Sequence, residues 1–419
     1  MRLFIVSCAV LLSLGSHGGC TKKPSAHVSE GQPRNDLPIR IAVAEGTESS
    51  DVLPQAWGMV SDQPLTITEI SVEGLAQSAS KADVLILEGW WVGTAATQNL
   101  VTFLPKDWLA DYDEQIQPPR RLLDEQTRWN GKRIGVSLGS SIPVMVLAED
   151  ASLGAIESWS DWSTAVTAAS KSAGRPVATE PWCKDWAAVM FLCRVAAVRP
   201  QRWLFSGKTM DPAIAMPEYV AALQQMIDLR PYFPDALMSP SEAWQAINGE
   251  ELQLAITIPL SASDRALEYR ELPNQLWPLT GFGRVACIAS GCRQTSAARA
   301  FLRWLSGVEG LSGVERQRAG LFVNSMHDEV TTTGNFKYEQ LARERLDDTT
   351  AHLPTLRIPG AVEYHRALDE QVRRAVNGEA SATDALTNAA EAWRKISESR
   401  GVARQYSAWM FSQDLPVLK

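Results

Sequence analysis

Among the places in this 419-residue chain where an acid stands close to an indole are Glu88-Gly89-Trp90-Trp91 and Glu180-Pro181-Trp182, each after a strand-like stretch. A carboxylate accepts hydrogen bonds from neighbouring hydroxyls, and an indole offers a broad apolar face with a single N–H donor. Together they suit recognition of a hydroxyl-rich ring without making or breaking a bond. Residues for bond-breaking chemistry are not arranged for it. The histidines His17, His27, His327, His352 and His365 are scattered, with no His-Glu-x-x-His pair for zinc. Neither a Gly-x-Ser-x-Gly elbow nor a phosphate-binding P-loop occurs. No enzyme activity, metal or cofactor is therefore expected. Gly139-Ser140-Ser141 could offer amides and hydroxyls to an anion, and reads equally as an ordinary turn.

The elements that must position these residues are strands and helices in alternation. Ile39, Ile41 and Val43 alternate with Arg40 and Ala42 in a strand over 38–44. A helix follows over 53–59, then strands over 65–70 and 82–87, the last an apolar run of the kind buried in parallel sheets. Glu45 and Glu88 stand at the C-terminal ends of the first and third strands, where open α/β sheets place ligands. Each could also face solvent or cap a helix. Glu180-Pro181-Trp182 lies between a strand-like stretch and a helix, so Glu180 could simply balance the helix start. Later come a strand at 252–258, a Pro- and Gly-rich segment at 259–283 and a strand at 284–289. A helix carrying Ala297, Ala298, Phe301, Leu302 and Leu305 at helical spacing stops at Gly307.

A chain of this length exceeds what one hydrophobic core usually serves, and two lobes are expected. A net charge of −8 with no Lys/Arg-rich run argues against a nucleic-acid surface. At the N-terminus Arg2 precedes an apolar run, Leu3 to Leu14, too short to span a bilayer as a helix of the mature fold. Gly18-Gly19-Cys20 then supplies the small residues and cysteine of a lipoprotein signal, although His17 stands where such signals usually carry an apolar residue. Of the remaining cysteines, Cys183 and Cys193 would sit about 15 Å apart along a helix and should not bridge. Cys287 and Cys292 flank a turn and are either a disulfide or two small buried hydrophobes.

The order of these motifs resembles the solute-binding proteins of ABC importers, in the sugar-type group that includes maltose-binding protein. The resemblance runs from Ile39 to about Ile396. It rests on Ala82-Asp83-Val84, Leu104-Pro105 with Trp108, Asn130-Gly131-Lys132-Arg133-Ile134-Gly135-Val136, and Ser158-Trp159-Ser160-Asp161-Trp162. Gly320-Leu321-Phe322-Val323-Asn324 and Gly378-Glu379-Ala380-Ser381 complete it. It implies an α/β, two-lobe fold of the type II periplasmic-binding kind, with a hinge between the lobes. Residues 38–143 with 284–350 would form the first lobe and 144–283 with 351–412 the second, after a signal segment (1–20) and a tether (21–37). The implied function is capture of a small polar solute, most simply a carbohydrate, in the interlobe cleft. The partner would be the membrane subunits of an importer, and the protein would act as a lipid-anchored, exported monomer. Its ligand residues would be Glu45, Glu88, Trp90, Trp91, Glu180, Trp182, Trp277 and Tyr364. Glu180-Pro181-Trp182 matches the group's Glu-Pro-aromatic turn, Trp277 its Gly-rich cleft loop, and Tyr364 an aromatic that closes on ligand. Pro259-Leu260 departs from the group, which often carries an aromatic there. The alternatives are a binder of a non-sugar solute, or a lipoprotein of the same fold acting as a sensor or protein-interaction module.

One expectation concerns the anchor. Replacing Cys20 with Ser should release the chain from the membrane fraction, because acyl chains on that sulfur would supply the affinity; equal retention of the mutant on fractionation would refute the anchor.

Overall fold

The computed structural model describes residues 37–45, 49–140, 142–151, 153–196, 204–275, 281–307, 311, 313–322, 335–348 and 356–415. The proposed Cys20 anchor, Trp277 and the 323–324 end of the Gly320 motif lie outside them. The first sheet is built from β1 (Ile39–Ala44), β2 (Leu65–Ile70), β3 (Val84–Glu88), β4 (Val136–Ser137) and, returning late in the chain, β9 (Arg284–Ile288). Its order is β2-β1-β3-β9-β4, with β1 parallel to β2 and β3, and β9 antiparallel to both its neighbours. The second sheet comprises β5 (Val144–Ala148), β6 (Ala178–Thr179), β7 (Leu254–Thr257) and β8 (Leu267–Arg270), ordered β8-β5-β7-β6. Two mixed sheets with helices around them make the expected two-lobe α/β architecture.

Alternation along the strands divides the core. Ile39, Ile41, Val43, Val84, Ile86, Ala286 and Ile288 point to one face of the first sheet. They pack there against α1 (Ser49–Trp57) and α6 (Thr295–Ser306), whose Phe301, Leu302 and Leu305 are fully buried. The opposite face, carrying Leu85, Leu87, Val285 and Cys287, shares one continuous apolar cluster with Val144, Met145, Val146 and Leu147 of the second sheet. All four cysteines outside the N-terminal segment, Cys183, Cys193, Cys287 and Cys292, are free thiols. Cys287 belongs to the core, and the disulfide alternative for it is excluded.

Helices cover the second sheet. Local chemistry sets their ends: α3 (Trp159–Ala173) starts in a capping box, with Ser158 Oγ accepting from the Asp161 amide at 3.1 Å, and stops at left-handed Gly174. α4 (Ala187–Ala196) is apolar nearly all round and buried accordingly. It packs against α5 (Pro217–Leu229) and against α8 (Ala361–Val376), which lies along α9 (Ala382–Arg400). Two helices make contacts beyond the lobe read for them in the sequence. α7 (Phe336–Asp347) lies with the second sheet: the Tyr338 hydroxyl donates to the Ile142 carbonyl at 3.1 Å, and Arg345 pairs with Glu271 at 2.5 Å. α10 (Val402–Ser412) reaches the first lobe, where the Asn130 amide donates to the Phe411 carbonyl at 3.0 Å.

The outer end of the first sheet is fastened by Asp83, whose side chain is fully buried. Its carboxylate accepts from Arg40 Nε at 2.9 Å, Arg40 Nη2 at 2.8 Å, the Arg40 amide at 3.0 Å and the Arg293 amide at 2.9 Å. Burial alone would push this carboxyl up, but the four donors and the Arg40 charge outweigh it and hold it at about 2. The folded-state value lies below the ordinary one, so the contribution to stability is complete at neutral pH. It is lost as pH falls from about 4 toward about 2. Asp83→Asn should cost about 3 kcal/mol in urea unfolding at pH 7. That gap between mutant and wild type should close as the titration approaches pH 2; a gap independent of pH would contradict the assignment.

Candidate functional site

The antiparallel register of β3 and β9 puts Arg284 directly across from Glu88. The Arg284 guanidinium is buried and does not pair with the carboxylate. It donates to the main-chain carbonyls of Ala44 at 3.1 Å and Glu45 at 3.3 Å, tying the end of β1 to the end of β3 and leaving the Glu45 side chain exposed at the rim. Glu88 is half-buried, and no described residue donates a hydrogen bond to its carboxylate. Burial raises its pKa, opposed by the Arg284 charge and reinforced by Asp185. Burial likewise lowers Arg284, with Glu88 pulling the other way.

Directly after Glu88, a single tight turn over Gly89–Trp91 carries two buried indoles. Trp91 belongs to the core cluster. Trp90 lies between Phe282 (ring centroids 4.7 Å apart) and His365 (4.4 Å), and Phe282 stacks on Trp186 at 4.9 Å and 21°. Four rings from four parts of the chain thus run in a row between the lobes: the end of β3, the segment entering β9, the turn before α4, and α8. The backbone makes room for it. A Cβ on Gly281 would fall on the Trp90 indole, and Gly283 accepts the Gly89 amide at 2.7 Å where a side chain would strike the Gln126 amide. A groove of about 230 Å³ opens beside Trp90, lined by Glu73 and Thr94 of the first lobe and by Glu363 and Arg366 of α8. A larger hollow of about 880 Å³ lies along β8 and shares none of these residues.

Glu45 follows β1, Glu88 ends β3 and Trp90 lies in the turn directly after it. Glu180, Trp182 and Tyr364 are instead each packed inside the second lobe. Glu180 accepts from Arg194 Nη2 at 2.5 Å, Trp162 Nε1 at 2.7 Å and Trp182 Nε1 at 3.2 Å, while the Arg194 guanidinium stacks 4.1 Å from the Trp159 ring. Both acceptor oxygens are occupied from within, and Trp182 is 1% exposed, its ring against Phe233. The Tyr364 hydroxyl is bonded to Ser397 Oγ at 2.8 Å, and burial pushes its phenol up to about 12. In place of Trp182 the interlobe position is taken by Asp185 and Trp186, just ahead of α4, and in place of Tyr364 by its neighbour His365. One signal for the first was present. Ala187–Ala196 is too uniformly apolar to have a solvent face, so the polar residues just before it mark the exposed turn.

Non-covalent capture is what this arrangement can do: carboxylates accept hydroxyls, aromatic faces cover C–H surface, and the exposed Arg366 stands by as a donor. Among the described residues no cluster of His, Cys, Asp and Glu could hold a metal ion, and no helix is long and apolar enough to cross a membrane. No protein-family model and no curated protein matches the chain. Solved structures do. An ABC transporter solute-binding protein from Agrobacterium radiobacter K84, in complex with ribitol, is 14% identical at a TM-score of 0.69, covering 87% of this chain and 100% of its own. The fold is that of the ABC-importer solute-binding proteins. Maltose-bound MalE3 of T. maritima (16% identical, TM-score 0.65) covers 86% of this chain and 100% of its own. A solute-binding protein from Agrobacterium vitis S4 with bound D-mannitol (13%, TM-score 0.63) covers 87% and 99%.

The internal role of Glu180 has a direct consequence. Glu180→Gln would leave Arg194 as an unpaired buried cation and should cost about 3–5 kcal/mol of stability. Calorimetric melting should show the loss, and a mutant that melts like wild type would reopen Glu180 as a cleft residue.

Proposed function

We propose that the protein captures a small polyhydroxylated solute between its lobes and delivers it to an ABC importer, as an exported, Cys20-anchored monomer. The observation that carries the reading is the half-buried Glu88 carboxylate at a strand end, to which no described residue donates, beside the Trp90–Phe282–Trp186 row and facing the second lobe. Desolvation makes such a carboxylate a strong acceptor for hydroxyls that replace its lost water, and the rings supply stacking area. Ribitol, maltose and D-mannitol in the three structural neighbours are of this chemical class. Closure then follows from preferential binding to the closed state.

A second reading, a sensor or protein-interaction module of the same fold, draws support from the Trp90–His365 contact, in which the lobes meet through the chain's own rings.

A thermal-shift screen against ribitol, D-mannitol, maltose and related polyols separates the two. A solute at a hundred times its Kd stabilises the native state by about 2.7 kcal/mol. For a solute found in this way, Glu88→Gln and Trp186→Ala should each weaken binding about tenfold or more in calorimetric titration, with melting temperatures close to wild type. Undiminished affinity in both would place the site elsewhere, and no stabilisation by any polyol would favour the interaction reading.

A further inference from the structure

The turn that presents Asp185 and Trp186 has an unusual anchorage. Asp185 is a non-glycine residue in the left-handed region, at φ 71°. Both polar atoms of its main chain are taken by α8. Its amide donates to Asp369 Oδ2 at 3.0 Å, and its carbonyl is bonded to His365 Nε2 at 2.8 Å, which must be the protonated ring nitrogen because a carbonyl can only accept. Asp369 is 1% exposed. Its Oδ1 accepts the Ala188 amide at 3.1 Å, and Arg373 Nε donates to Oδ2 at 2.8 Å. His365 and Asp369 are one helical turn apart, so both reach the same loop.

A helix start is usually capped by a side chain at the position just before it, and Asp185, two residues before Ala187, is well placed to serve α4. Here the cap comes from another helix. The Asp185 carboxylate is thereby left free, within electrostatic range of Glu88, while Trp186 is held against Phe282. The His365 ring that fixes the Asp185 carbonyl also lies on Trp90 of the first lobe, so one residue joins turn shape to lobe contact.

We infer that Asp369 is a positioning residue for the solute site: acting with His365, it sets the 183–186 turn so that Asp185 and Trp186 face the cleft. The inference rests on the solute-capture reading for its purpose, not for its geometry.

The test compares Asp369→Ala and the isosteric Asp369→Asn with wild type, full chain in each case. Amide hydrogen exchange of Asp185 and Ala188 should speed up at least tenfold in Asp369→Ala, and indole emission should shift as Trp186 leaves Phe282. Titration with ribitol, D-mannitol and maltose should show at least tenfold weaker binding of whichever of them wild type binds, at a temperature where each variant's melting curve shows it folded. Asp369→Asn, which keeps one acceptor oxygen, should be intermediate, and it decides the matter should the alanine variant fail to fold. Exchange at both amides within twofold of wild type overturns the inference. So does faster exchange with unchanged affinity, which would make Asp369 only a helix cap. If wild type binds none of the three solutes, the capture reading loses its support, while exchange and emission still decide whether Asp369 sets the turn.

Discussion

The candidate site depends on a buried guanidinium that is not used as an ion pair. Arg284 enters the first sheet opposite Glu88 and spends its donors on the carbonyls of Ala44 and Glu45. Had it formed a fork with Glu88, both groups would have been satisfied and the strand end would be inert. The carbonyls neutralise part of the desolvation penalty of the cation, and its field keeps Glu88 from rising further. The carboxylate is left without a donor from any described residue, and β1 and β3 are locked together at the end where a ligand would sit.

The second lobe treats its charges in the opposite manner. Glu180 and Arg194 are both fully buried and close on one another, with two indole N–H groups completing the carboxylate and an indole face covering the guanidinium. Every valence is used internally, which is what a structural network requires and what a binding site must avoid. Glu180 and Glu88 have the same sequence look, an acid followed by an aromatic within two residues. Only the partners that folding brings to them tell the two apart.

That contrast explains which parts were legible in the sequence. Strands β1, β2, β3, β7 and β9 announce themselves through alternating or continuous apolar runs, and α6 through helical spacing with Gly307 at its end. These signals are local, and so is the placing of Glu45, Glu88 and Trp90 at or just after strand ends. The cleft residues of the second lobe are another matter. Whether Tyr364 or His365 faces the first lobe is a rotation of about 100° on one helix, and it is set by how α8 packs on α4 and α9. Trp182 or Trp186 is a choice of one turn, decided by the Asp369 cap arriving from a distant part of the chain.

Gly401, between α9 and α10, has φ 87° and ψ 108°, a conformation that only glycine adopts without strain, and it lets the chain turn from the second lobe back to the first. Beyond it the chain end is pinned: Arg357 Nη2 donates to the Ser412 carbonyl at 2.5 Å, and the Gly131 amide to Asp414 Oδ1 at 2.6 Å. The connection joins those at 138–143 and ahead of β9. Two bodies linked by a single thread can twist, slide and part. Added links at separate points remove those freedoms one after another and leave a rotation about the line through them. For a two-lobe fold that opens and closes, a third crossing at Gly401 would make the pair of lobes behave as a door with a fixed axis, and a stiffer residue there would change the swing without touching the candidate site.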